Sequence, residues 1–320
     1  MVMRKNKFFV LLAMFCLLLI GCGQASKEHA QPNTAKTYTV VDATGRKVNF
    51  AAKPQRIISM GLSGDEILLD LVEPKRLAAL TSLVDDPSIS PCSDKAKVVQ
   101  ARVKGRGAEG ILALQPDLVI IPSWMEMKEK SVLEDAGIKV FIIDSPHDFA
   151  GIKKLITTLG AVTGEAHRAK QIDTDIEQKL AVVWQAVSQV PDNKKQSILA
   201  FSQMGVFGAK GTSFDEICHK ANVINALGEY DLSKNATINK EQVVALNPDY
   251  FLLPSWDQSG RGDVRNYIND IQTDPAYKEL KAVKNNHLIS IDDRYLYSTS
   301  QYTVQAVEEL ARAVYPTAFQ

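Results

Sequence analysis

The chain is poor in the residues that build metal centres and covalent frameworks. Four cysteines and five histidines occur in 320 residues. No C-x-x-C or Cys/His spacing is present, so the sequence offers no zinc site. G-x-S-x-G and H-E-x-x-H are both missing, which removes the commonest hydrolase and zinc-protease signatures. Charge of one sign is missing too: 37 basic residues balance 37 acidic ones. That balance argues against nucleic acid as a partner and against a broadly basic membrane-binding face. The one long apolar run, Phe8 to Ile20, is too short for an ordinary membrane span.

That run follows Arg4, Lys5 and Lys7 and ends at Leu19-Ile20-Gly21-Cys22, the pattern of an export signal whose cleavage point carries a cysteine. It resembles a bacterial lipobox. Residues 1–21 are therefore expected to be a lipoprotein signal peptide, with Cys22 lipidated and the protein exported and anchored to the membrane by lipid. Residues 22–37 are polar and aperiodic and read as a flexible tether. Cys92 and Cys218 remain, and they would have to bridge two halves of the molecule to form a disulfide.

What is abundant is repetition. Ala113-Leu114-Gln115-Pro116-Asp117 and Pro122-Ser123-Trp124 return as Ala245-Leu246-Asn247-Pro248-Asp249 and Pro254-Ser255-Trp256, and Ser63-Gly64-Asp65-Glu66-Ile67 returns as Ser213-Phe214-Asp215-Glu216-Ile217. Two copies in the same order imply two similar lobes with a cleft between them. Short apolar runs at 56–60, 118–121, 140–143, 198–201, 250–253 and 288–291 alternate with helical periodicity at 65–72, 127–136, 149–159 and 304–314. This is the pattern of α/β lobes with mainly parallel central sheets. A hairpin over 38–50 opens the first lobe. A long helix from about 165 to 190, with Ile172, Ile176, Leu180, Val183 and Val187 on one face, joins the copies as a stiff connector. The expected division is a lobe over 38–163, a connecting helix over 164–192 and a second lobe over 193–320.

Ligands of parallel α/β sheets bind beyond the carboxyl ends of the strands. Ser123, Trp124, Ser255 and Trp256 stand there in matched positions, and the Trp faces suit a flat or bulky ligand. The loop after the last strand adds Arg294, Tyr295 and Tyr297. Arg261 follows the second Trp, the 204–213 turn brings Phe207, and its counterpart brings Met60. Arg102, Lys104 and Arg106 are weaker candidates of the same kind, and Trp184 on the long helix is read as packing. Glu66 and Glu216 each follow a Ser by three residues, so each reads both as the second half of a capping box and as an acidic residue shown to a two-fold partner. A free divalent metal would need His147, His219 and His287 to converge.

Taken together, the lipobox, the two lobes, the stiff helix and the repeated motifs resemble the substrate-binding proteins of ABC importers for ferric siderophores, haem and cobalamin. The likeness runs from Tyr38 to about Pro316. Pro54-Gln55-Arg56-Ile57-Ile58-Ser59 is similar to the family's first-strand entry, and Asp274-Pro275-Ala276-Tyr277 with Leu280-Lys281-Ala282-Val283-Lys284-Asn285 to its late helix and turn. Lys220-Ala221-Asn222 departs from the family's Gly-rich turn. The resemblance implies a binding protein rather than an enzyme, with no resident cofactor and a transported metal chelate as ligand. It also implies a partnership with a permease dimer and its ATPase, onto which Glu66 and Glu216 would dock. A siderophore and a corrinoid stay open as ligands. A haem receptor, a free-metal receptor and an extracellular enzyme acting on a chelate are the rivals.

Overall fold

The computed structural model describes residues 37–103, 107–125, 130–230, 238–256 and 264–320. Cys22, Lys104, Arg106 and Arg261 lie outside these residues.

The hairpin forms as expected, β1 (Tyr38–Val41) pairing antiparallel with β2 (Lys47–Phe50). The first large sheet is wholly parallel, in the order β4-β3-β5-β6, from β3 (Ile57–Ser59), β4 (Leu77–Ala79), β5 (Leu118–Pro122) and β6 (Lys139–Ile143). The second runs β11-β10-β7-β8, from β7 (Ser197–Ser202), β8 (Gly205–Phe207), β10 (Tyr250–Leu252) and β11 (Leu288–Ile289), with β9 (Ile224–Asn225) also on β7. Among the described residues only β8 runs antiparallel there, folding back from β7 through a tight turn.

Both faces of each sheet are covered, which is why the strands read as continuous apolar runs. Along β5, Leu118 and Ile120 face one core while Val119 and Ile121 face another. Leu199, Phe201, Phe251 and Leu253 face a third core on the outer side of the second sheet. The inner core belongs to both sheets at once. Ile57, Leu118 and Phe141 of the first sheet share it with Ile198, Ala200 and Leu252 of the second, joined through Ile172, Ile176, Val183 and Val187 of the helix Ala166–Val187. Each such aliphatic side chain contributes about 1.5–3 kcal/mol when fully buried. This helix is packed along the helix Phe149–Thr163 so closely that a Cβ on Gly160 would stand 2.5 Å from that of Ala169.

Candidate functional site

The repeated A-L-x-P-D motif sets the centre of each sheet. In both copies a helix, Ala108–Leu112 or Lys240–Leu246, runs out into a left-handed residue, Gln115 at φ 49° or Asn247 at φ 41°. The Pro then forbids further helix. The Asp carboxylate next pins the neighbouring central strand. Asp117 accepts the Gln55 and Arg56 amides at 2.6 and 3.0 Å, at the entry to β3. Asp249 accepts the Ser197 amide and hydroxyl at 2.9 and 2.7 Å, at the entry to β7. β5 and β10 are thereby placed in register beside β3 and β7, and each ends in a P-S-W turn at its carboxyl edge.

These edges lead to the seam between the sheets. The loop after β6 meets the start of the helix Ser213–Lys220 and the loop after the helix Asp293–Leu296. Pro146, His147 and Phe149 line one side of a small interlobe pocket, and Ser213, Glu216 and Ser298 the other. The Phe149 amide donates to the Glu216 carboxylate across it, at 2.5 Å. A larger cavity of about 520 Å³ opens beside it on the first-lobe side, lined by Asp42, Ile143, Asp144, His147, Asp148 and Lys154. At the second-lobe edge the Phe207 ring lies 5.6 Å from those of Tyr297 and Phe214.

The expected ligand residues fare differently. Trp124 is 61% exposed at its strand end. Trp256 is half-buried, and Ser123 and Ser255 are exposed. Tyr297 and Phe207 stand together at the edge. Tyr295 is half-buried against the inner core. Met60 is a correction: it is 3% exposed and packed in the first lobe's outer core, because β3 ends before it and it continues the strand's buried side. Arg294 is already committed, its Nε 3.0 and 2.8 Å from the Asp292 carboxylate oxygens and its plane over the Tyr295 ring. Arg102 is likewise bound to Asp85. Trp184 is 52% exposed beside His219 and Lys220, not packed inside.

Glu66 is the largest correction. It is 1% exposed and accepts hydrogen bonds from Ser90, Ser298 and Ser300 at 2.9, 3.1 and 2.6 Å. Burial pushes its carboxyl up, against the pull of those hydroxyls. It ties the lobes together and cannot meet a partner. Nor does it cap: the helix Leu62–Leu71 starts at Gly61 without a side-chain cap, and Ser63 is inside it. Glu216 is engaged across the seam and with Lys220, while Thr212, not Ser213, caps its helix.

Sequence reasoning missed Glu109 and Glu241. Each stands eight residues before the Asp of its repeat, in the first turn of the helix that leads into it, and both are exposed. Extending the comparison of the two copies toward the N-terminus would have found them.

Cys92 and Cys218 are both buried and free. The thiol of Cys92 is pushed up to about 12 by burial. His147 lies at the seam, His219 on an exposed helix face, and His287 stacks on Tyr250 at the opposite, amino edge of the second sheet. The three histidines do not converge, and among the described residues no group of three or more His, Cys, Asp or Glu is arranged to hold a metal.

Comparison with known proteins gives a family match over residues 57–295, to a family described as periplasmic binding protein. Among curated relatives, an uncharacterized ABC transporter substrate-binding lipoprotein of Bacillus subtilis, YvrC, is 22% identical over 99% of both chains. The iron-uptake system-binding protein of the same species is 23% identical over 89% of this chain and 90% of its own. A cobalamin-binding protein of Halobacterium salinarum is 19% identical over 77% of this chain and 69% of its own. Among solved structures, a periplasmic binding protein from Veillonella parvula superposes with a TM-score of 0.69 at 18% identity, covering 88% of this chain and 98% of that one. The haem-binding protein RhuT of Roseiflexus does so at 0.66 and 22% identity, over 82% and 99%.

Proposed function

Because the chain belongs to the periplasmic binding protein family, we propose that it is the substrate-binding lipoprotein of an ABC importer. In this reading it captures a metal chelate at the seam between its lobes and hands it to the permease. Export with lipidation at Cys22 belongs to the same reading. Named lipoproteins among the relatives support it, and no helix among the described residues is long and apolar enough to cross a membrane.

The observation that supports the ligand site is that P-S-W turns stand at equivalent carboxyl edges of two sheets that share one core. Aromatic faces can wall a large, flat ligand with little loss of side-chain entropy. The commitment of Arg294 to Asp292 takes the strongest described anion-binding candidate out of play, which favours a corrinoid over an anionic ferric siderophore. Docking on the permease is assigned to Glu109 and Glu241, the exposed, repeat-related pair, in place of Glu66 and Glu216.

Titration of the full-length chain with cyanocobalamin, a ferric hydroxamate and haemin, followed by Trp fluorescence, tests the ligand. Cyanocobalamin is expected to quench, and Trp124→Ala with Trp256→Ala to weaken binding by about tenfold or more, a loss of about 1.4 kcal/mol. Saturation by the hydroxamate alone would overturn the corrinoid choice, and silence with all three would overturn the chelate reading. For docking, Glu109→Gln with Glu241→Gln should abolish uptake in cells while leaving ligand affinity as it was; normal uptake refutes the assignment.

A further inference from the structure

The two P-S-W turns have one sequence and two environments. In the first lobe the Ser123 amide donates to the Ile143 carbonyl at 2.7 Å and the Met125 amide to Pro122 at 3.0 Å. No carboxylate among the described residues holds that turn, and Trp124 is 61% exposed. In the second lobe Asp293, 2% exposed, reaches under the turn. Its Oδ2 accepts the Ser255 amide at 3.1 Å and the Trp256 amide at 3.0 Å, and its own amide donates to the Ser255 hydroxyl at 2.9 Å. Asp293 itself is fixed from behind. The adjacent Asp292 amide donates to Glu309 on the helix Thr303–Val314 at 2.8 Å, and Arg294 closes on the Asp292 carboxylate. Trp256 is the less exposed of the pair.

We propose that Asp293 is a positioning residue that makes Trp256 the fixed wall of the cleft, leaving Trp124 as the wall that adjusts to the ligand. The proposal rests on the cleft reading above. Its physical basis is that charge-assisted bonds from two successive amides define the turn in three dimensions, whereas the two neutral backbone bonds of the first-lobe turn, neither of them from the Trp124 amide, hold its tip less firmly.

A second feature makes the hold readable. Asp293 Oδ1 is buried with no hydrogen-bond partner among the described residues. Burial pushes the carboxyl up to about 6, against the two amides and the Ser255 hydroxyl that pull it down, and with Asp292 adding to the rise. The charged groups around it are Asp292 and Arg294 on its own turn and Glu309 on the last helix; Asp257, next after Trp256, lies outside the described residues. As pH falls through about 6, Asp293 gains a proton and its charge-assisted bonds become neutral ones, so Trp256 loosens.

The test uses the full-length chain with Trp124→Phe and Trp184→Phe, so that Trp256 is the only tryptophan, and measures acrylamide quenching from pH 4.5 to 8 without ligand. Quenching of Trp256 should rise about twofold as pH falls through about 6. In Asp293→Asn, which keeps an acceptor oxygen and loses the charge, it should stay at the higher level across the range. A companion chain reporting Trp124 alone should quench strongly at every pH and ignore Asp293→Asn. A flat profile for Trp256 with Asp293 intact, or an equal change at Trp124, overturns the proposal. If Asp293→Asn does not fold, the titration with Asp293 intact decides alone. Adding cyanocobalamin separates the two readings: a pH-dependent Trp256 that cyanocobalamin fails to shield would refute the corrinoid cleft and leave the positioning role standing.

Discussion

Two neighbouring carboxylates on the first helix show how much a single position can hide. Asp65 is 0% exposed; its Oδ2 accepts the Thr81 amide at 3.1 Å, and its Oδ1 has no partner. Burial pushes it up to about 8 from the ordinary 3.8, against the hydrogen bonds from Thr81 and the pull of the nearby Ser59 hydroxyl. The native protein therefore keeps a proton that the unfolded chain has already lost. The stability from this neutral carboxyl is complete below about pH 4 and drains away as pH rises through about 8. Asp65→Asn should flatten that dependence, so that urea midpoints at pH 5 and pH 8 lie closer together than in the parent. Glu66→Ala should cost about 2–3 kcal/mol, since three seam hydroxyls lose their acceptor. Its ligand-free unfolding curve measures this, and purified variant that still folds should dock normally. None of this was legible in S-x-D-E-I. The motif looks like a helix start whether its acids point outward or inward, and only the packing of Ser298 and Ser300 against the helix decides.

Elements were more legible than sites. Six expected strands appear as β3, β5, β6, β7, β10 and β11, because runs such as Leu118 to Ile121 are buried on both faces and cannot be anything but apolar. β4, β8 and β9 escaped. Leu77–Ala79, Gly205–Phe207 and Ile224–Asn225 are two or three residues long and owe their conformation to a neighbour already in place. The repeated motif was legible as a repeat but not as a device. Its purpose appears once the left-handed residue and the strand-pinning Asp are seen together. Asn247→Val should therefore destabilise by about 2 kcal/mol, through the left-handed strain of a β-branched residue and the loss of the Lys281 amide bond to its side chain. Thr212→Ala should cost about 1 kcal/mol, the usual worth of a cap. Chemical denaturation of each variant checks both.

At the scale of the molecule a single core passes through the helix Ala166–Val187 into both sheets, so the two are expected to unfold together. Calorimetry should show one unfolding transition. Val183→Ala, a truncation in the middle of that core, should lower stability by about 2 kcal/mol and still leave one transition; two resolved peaks would mean the lobes unfold separately. The same shared core, with Glu66 and Glu216 tied across the seam, opposes a wide hinge motion. In the proposed reading, ligand capture then relies on side chains at the strand ends, which gives weight to the difference between Trp124 and Trp256.

The sequence by itself determined the duplication, the α/β alternation, the stiff helix and the placing of two indoles at equivalent strand ends, because periodicity and repetition are local records of burial and topology. Tertiary structure decided which acids are buried, which are displayed and which Trp is held. Those outcomes depend on what residues more than 200 positions apart, such as Glu66 and Ser298, bring against each other, and desolvation of a carboxylate is a property of that meeting and not of the motif that carries it.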